Sequence, residues 1–205
     1  MQIIENVILD RDGTIIVDKH YLHDPAQIEF IPGATDGLAR LHAAGIRLFV
    51  ATNQSGIGRG YFTQADYLAV ERRMNGLLAS AGAPITGTAF CPHAPDTACD
   101  CRKPDIGMWK ALAATHALNP QRTVMIGDKA ADVRFGIDAG LAASILVLTG
   151  KGAGQLEKYG LSQPEGPWSE TAPLRPGLPH YVARDLGAAC DCILHYNASS
   201  GTRTT

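Results

Sequence analysis

The chain has 205 residues, 45% of them apolar, with a formal net charge of −2 and five cysteines. That length suits one domain with a core of its own, and the slightly acidic balance argues against a nucleic-acid partner, which would ask for a basic face. No apolar run approaches the roughly 18–20 residues of a membrane span, and the start Met1-Gln2-Ile3-Ile4-Glu5-Asn6 lacks the layout of an export signal, so a cytoplasmic protein with reduced thiols is expected.

In chain order, Val7–Leu9 is a short apolar strand that runs straight into Asp10-Arg11-Asp12-Gly13-Thr14. Residues Pro32 to Ala44 carry Ala34, Leu38 and Leu41 at helical spacing and stop at Gly45, ahead of a second strand over Ile46–Ala51. Thr63 caps a helix whose apolar stripe is Tyr67, Val70, Met74, Leu77 and Leu78, a core face that ends at Gly82 and Pro84. Ile85–Phe90 reads as a third strand, Met108–Ala117 as a helix, Thr123–Ile126 as a strand, Ala130–Ala139 as a helix closed by Gly140, and Ala143–Leu148 as another buried strand. The proline-rich stretch Gly160–Pro179 reads as a surface excursion without regular structure. Tyr181-Val182 is then an edge strand, Asp185–Leu194 a last helix, and 197–205 a polar tail expected to fray. This alternation predicts a three-layer, Rossmann-like α/β fold, a parallel sheet flanked by helices in a single domain over 1–196, with no large cap domain.

The acids lie where such a sheet places ligands. In an extended segment residues i and i+2 point the same way, so Asp10 and Asp12 converge just beyond the carboxyl end of the first strand. The strand Thr123–Ile126 ends likewise, in Gly127-Asp128-Lys129-Ala130-Ala131-Asp132. Together these acids make a hard oxygen site suited to Mg²⁺, with Asp132 placed four residues after Asp128 to bond back to it. Thr52-Asn53-Gln54-Ser55-Gly56 offers a hydroxyl, an amide and free N–H groups for a phosphate, although alone it is an ordinary turn composition. Arg102-Lys103-Pro104 offers a fork and a point charge for an anion, or a solvated basic pair.

Cys91-Pro92-His93 and Cys99-Asp100-Cys101 form a second constellation. Three thiolates and one imidazole fill a tetrahedral Zn²⁺ site with no open position, so Cys91, His93, Cys99 and Cys101 predict a structural zinc loop. Cys190 and Cys192 read as core thiols on the last helix.

The ordered set Asp10-Arg11-Asp12-Gly13-Thr14, Thr52-Asn53-Gln54, Lys103-Pro104 and Gly127-Asp128-Lys129-Ala130-Ala131-Asp132 resembles the four motifs of the haloacid dehalogenase superfamily of phosphatases. That resemblance implies Asp10 as nucleophile, Asp12 as general acid and base, and Thr52 and Lys103 as holders of the phosphoryl oxygens. It also implies Mg²⁺ on Asp10, Asp128 and the Asp12 carbonyl, with Lys129 and Asp132 behind them. The zinc loop followed by Arg102-Lys103-Pro104, and the stretch Thr52 to Phe62, look like the heptose-bisphosphate phosphatase branch, whose relatives act on histidinol phosphate. The branch implies a small sugar bisphosphate as substrate, touched by Asp18, Lys19, His20, Tyr21, Thr52, Asn53, Gln54, Ser55, Arg59, Arg102 and Lys103. A monomer is expected. A histidinol-phosphate phosphatase is the nearest alternative. A zinc-stabilised binding module without turnover is the remote one, disfavoured because the chain shows neither a second knuckle nor a basic face.

Overall fold

The computed structural model describes residues 3–201. Its sheet has seven strands: β1 (Asn6–Leu9), β2 (Arg47–Asn53), β3 (Ile85–Cys91), β4 (Thr123–Gly127), β5 (Ala143–Val147), β6 (Trp168–Glu170) and β7 (Tyr181–Ala183). They lie in the order β3-β2-β1-β4-β5-β7-β6, every neighbouring pair parallel except β6 with β7. The helices are α1 (Ala34–Ala43), α2 (Ser55–Gly58), α3 (Gln64–Ser80), α4 (Gly107–His116), α5 (Ala130–Asp138), α6 (Gly152–Tyr159) and α7 (Leu186–Gly201).

The central strands are largely apolar and buried because both faces are covered. Val7 and Leu9 of β1 pack with α1, α3 and α7 on one side, while Ile8 packs with Met108, Trp109 and Leu112 of α4 and Phe135 of α5 on the other. Strand β1 is bonded to both β2 and β4, in register Leu9 with Val50 and Leu9 with Ile126. The chain order reverses at β1, and the crevice beyond the carboxyl ends of the strands there is where an α/β sheet takes its ligand. Local chemistry fixes the helix starts that frame this crevice. Thr63 and Asp66 form a reciprocal capping box on α3. At α5, Asp132 Oδ2 accepts from the Lys129 N–H at 3.0 Å.

The sheet, its order of elements and the absence of a large cap match the expected three-layer class. Segment 14–33, between β1 and α1, forms only a short flap, pinned by bridges Asp12–Ile16 and Ile16–Phe30. Four expectations need correction. The stretch Gly160–Pro179 is not devoid of structure, because Trp168–Glu170 pairs antiparallel with β7 as the sheet edge. Tyr181-Val182 is therefore not an edge strand, since β7 is paired with β5 on its other side. Helix α6 was not expected; its opening Gly152-Ala153-Gly154 is poor helix sequence, and only Leu156 anchors it in the core. The last helix runs on to Gly201 instead of stopping at Leu194, because Asn197 exchanges side-chain hydrogen bonds with the Ile4 backbone at 2.8 and 2.9 Å. Only residues 202–205 of the expected tail lie outside the described residues.

Candidate active site

The carboxyl end of β1 delivers Asp10 into a buried position between two ammonium groups. Lys103 Nζ donates to Asp10 Oδ1 and Lys129 Nζ to Oδ2, each at 2.9 Å. Burial raises the proton affinity of Asp10, but the charges of Lys103 and Lys129 outweigh it and hold the carboxyl well below the usual range. Asp12 has its side chain turned toward β2. Arg11, itself buried, grips it with Nε and Nη2 at 3.0 Å each, and Gln54 Nε2 donates to Asp12 Oδ2 at 2.9 Å. Gly13 makes the turn possible at φ +88, and a Cβ there would lie 2.3 Å from Asp128 Oδ2.

Strand β2 ends in a network that orients the opposite wall. Gln54 Nε2 also donates to Thr52 Oγ1 at 2.9 Å. The Asn53 amide exchanges two bonds with the Lys103 backbone, 3.1 Å to its carbonyl and 3.0 Å from its N–H. The Lys103 side chain is thereby aimed under β1, where its ammonium also pairs with Asp132 Oδ1 at 2.7 Å and donates to the Ala51 carbonyl at 2.5 Å. Burial alone would lower the Lys103 pKa; Asp10 and Asp132 raise it above the ordinary value, so the group stays charged.

Strand β4 brings Asp128 beneath the floor of the site, where no part of it is exposed. Its Oδ2 accepts from the Lys151 N–H at 2.9 Å. Burial, and then the charge of Asp10, push its pKa up to about 7. Such crowding of anions asks for a cation. The Lys129 ammonium occupies the point where three oxygens converge: Asp10 Oδ2 at 2.9 Å, the Asp12 carbonyl at 2.7 Å and Asp128 Oδ1 at 2.6 Å. These hard oxygens, two of them from carboxylates, fit Mg²⁺. Asp132 lies within the same cluster, but its oxygens face Lys103 and the Lys129 N–H, which makes it a support for the lysines.

The loop after β3 gathers Cys91, His93, Cys99 and Cys101, whose ligand atoms all lie within 4.8 Å of one another. Cys91 Sγ is 3.7 Å from Cys99 Sγ, and His93 Nδ1 is 3.5 and 3.3 Å from the sulfurs of Cys91 and Cys101. Bonds of about 2.3 Å to sulfur in a tetrahedron give S···S edges near 3.8 Å, so the residues fit Zn²⁺. Burial, then the hydrogen bond and charge of Cys91, push the Cys101 thiol up to about 12. The loop is tied to the active-site wall: the Gln54 N–H donates to the Cys91 carbonyl at 2.7 Å and the Gly58 N–H to the Pro92 carbonyl at 2.8 Å.

A cleft of about 320 Å³ opens over these groups. Asp10, Asp12, Lys103, Lys129 and Asp132 form its floor, Thr52 to Gly56 and Arg102 one wall, and Asp18, His20 and Tyr21 the rim. The structure does not bring Lys19 or Arg59 to the cleft. Lys19 pairs with Glu29 at 2.9 Å, and Arg59 caps the end of α2. Sequence reasoning missed Arg11, whose role emerges only from its contacts, and Lys151, which lines the cleft after β5. The triplet Thr149-Gly150-Lys151 beyond a buried strand was the signal for the latter.

Among the described residues, no helix is long and apolar enough to cross a membrane. The solved D,D-heptose 1,7-bisphosphate phosphatase of B. bronchiseptica, complexed with magnesium and phosphate, superimposes with a TM-score of 0.80 at 31% identity over 94% of this chain and 99% of that one. The D,D-heptose 1,7-bisphosphate phosphatase of Burkholderia thailandensis gives 0.65 at 33% identity over 93% and 98%. In sequence, the D-glycero-beta-D-manno-heptose-1,7-bisphosphate 7-phosphatase of Pseudomonas putida is 41% identical over 74% of this chain and 87% of its own length. The enzyme of that name from Escherichia coli is 38% identical over 71% and 80%. A HAD-hydrolase-like family model matches residues 100–189, and one for haloacid dehalogenase-like hydrolases matches residues 24–140. With paired acids at the end of β1, a buried lysine beneath them and a third acid after β4, the chain belongs to the haloacid dehalogenase-like hydrolases.

Proposed function

We propose that this protein is a Mg²⁺-dependent phosphatase that removes the 7-phosphate of D-glycero-D-manno-heptose 1,7-bisphosphate and leaves the 1-phosphate. It would thereby supply nucleotide-activated heptose for cell-surface glycans. The observation that carries the chemistry is the meeting of Asp10 Oδ2, the Asp12 carbonyl and Asp128 Oδ1 on one cation, with the other oxygen of Asp10 fixed by Lys103. The heptose substrate is supported by the names of the relatives above, and the β anomer by those of Pseudomonas and Escherichia.

Asp10 is kept ionised by its two lysines and is the nucleophile. Its oxygen attacks phosphorus, the bond from phosphorus to the C7 oxygen breaks, and Asp12 gives its proton to that leaving oxygen. A phosphoryl group then rests on Asp10. Asp12, now a carboxylate, takes a proton from a water that attacks phosphorus and frees Asp10 as phosphate departs. Thr52 and Lys103 bind the phosphoryl oxygens as charge spreads over them. Asp10, Asp128 and the Asp12 carbonyl would hold Mg²⁺, which would supply the charge that lets an anionic nucleophile meet an anionic phosphate. Cys91, His93, Cys99 and Cys101 would hold Zn²⁺, which would fix the wall that carries Arg102 and Lys103. In this reading the protein works as a cytoplasmic monomer, a single domain that extends to the end of α7.

The test is phosphate release from both anomers of the heptose bisphosphate and from histidinol phosphate, with Mg²⁺ and then with chelator. Fast, metal-dependent turnover of the β anomer is expected. Turnover of histidinol phosphate in its place would overturn the substrate, and full activity of Asp10→Asn would overturn the mechanism.

A further inference from the structure

The cleft contains five cationic side chains, and their pairing sorts them into two groups. Arg11 is spent on Asp12, Lys103 on Asp10 and Asp132, and Lys129 on Asp10 and Asp128. Lys151 and Arg102 also line the cleft and make no ion pair among the described residues. Arg102 is leashed, with its Nη1 3.5 Å from the His93 carbonyl. Lys151 is exposed, and its side chain makes no hydrogen bond among the described residues.

The position of Lys151 is nonetheless built. Its N–H donates to Asp128 Oδ2 at 2.9 Å, which pins its Cα beside the reaction centre. Gly150 before it sits at φ +55, and a Cβ there would lie 2.2 Å from Asp128 Oδ2 and 2.8 Å from Gly13 Cα. Thr149 Oγ1 donates to the Gly13 carbonyl at 2.7 Å. The turn from β5 into α6 is thus clamped onto the turn after β1, leaving the lysine side chain as its free part. The sheet order puts this turn on the β5 side of β1 and Arg102 on the β3 side.

A substrate with two phosphates brings about four negative charges at neutral pH. The reacting phosphate meets the floor, where the cations are already shared with acids. A second phosphate at the far end of a sugar meets none of them. We propose that Lys151 is a specificity-determining residue that binds the second, non-reacting phosphate of a sugar bisphosphate, an inference that rests on the sugar-bisphosphate reading above. A flexible ammonium with three rotatable donors suits a phosphate that must be admitted and released at the mouth of a cleft.

The experiment compares heptose 1,7-bisphosphate with heptose 7-phosphate, which has the same leaving group and no second phosphate. Wild type, Lys151→Met, Lys151→Arg and Arg102→Met are assayed with Mg²⁺ for kcat and KM. The methionine keeps the backbone N–H on Asp128 and most of the stem, so only the charge is lost. The ratio of kcat/KM for the bisphosphate over the monophosphate is expected to fall about tenfold in Lys151→Met, through KM, and to recover in Lys151→Arg. An unchanged ratio in Lys151→Met overturns the proposal, whether both substrates weaken together or neither does. So does a collapse seen only in Arg102→Met, which would give the second phosphate to the β3 side alone. Wild type that turns over neither heptose phosphate overturns the functional reading itself, and this proposal with it.

Discussion

Lys103 is shut away from water with its charge divided between Asp10 and Asp132. Removing one partner of a buried ion pair leaves the others uncompensated and typically costs about 3–5 kcal/mol. Lys103→Met should therefore lose about 3 kcal/mol of unfolding free energy in urea without added Mg²⁺, besides its activity. An unchanged urea midpoint would mean that the two acids simply take up protons. The acids were legible as residues because each follows a buried strand, where a carboxylate has little structural excuse. The lysine was legible only through motif order, since Arg102-Lys103 alone could equally be a solvated pair. Lys19 and Arg59 mark the limit of that reading. Their neighbours Asp18 and His20 reach the cleft rim, yet Lys19 is drawn off by Glu29 on the facing limb of the flap. Sequence separation within a loop does not say which side chains share a face. His20 and Tyr21 adopt φ of 51 and 65, which no spacing rule anticipates.

At the scale of elements, the cysteine loop after β3 and α2 behave as one unit. The Gly58 amide bonds the Pro92 carbonyl, and a Cβ on Gly58 would lie 2.5 Å from the Ala94 nitrogen and 2.8 Å from that carbonyl oxygen. These are backbone atoms and cannot step aside without moving the loop. Gly58→Ala should therefore destabilise the protein by about 1–3 kcal/mol, read in the same urea titration, and should weaken substrate binding because Gln54 hangs from the Cys91 carbonyl. Loss of zinc should act in the same direction and further. One zinc per chain is expected by elemental analysis, and Cys99→Ser should lower both zinc content and Tm, by about 5–10 °C. A Tm identical to wild type would show that the four side chains hold no structural metal. Strands β1, β2, β4 and β5 were readable because burial on both faces leaves a largely apolar run, while β3, the outer strand, is only half-buried. Strand β6 was not. It has three residues among prolines and exists because an edge strand needs pairing on one side only. The extra turns of α7 depend on the long-range Asn197–Ile4 pair, which no local pattern reports.

On the scale of the whole molecule, the acids and lysines of the cleft come from distant parts of the chain and meet because the parallel strands β1, β2 and β4 have their carboxyl ends on the same side of the sheet. The scaffold is held by two apolar layers that do not involve the acids. Two of the cluster's three carboxylate charges are already balanced internally by Lys103 and Lys129. The two metals should therefore separate cleanly in experiment. A mild chelator that takes Mg²⁺ and spares the thiolate site should abolish turnover while shifting Tm by no more than about 2 °C, because Lys129 already sits on the three oxygens the ion would use. Added Mg²⁺ should restore activity at once. A stronger chelator that also strips the cysteine loop should lower Tm, and Mg²⁺ alone should not then recover activity, since the wall carrying Arg102 and Lys103 would have lost its anchor. A large Tm loss on removing Mg²⁺ alone would show that the lysines do not balance the acids, and that the fold depends on the catalytic ion as well as on its apolar layers.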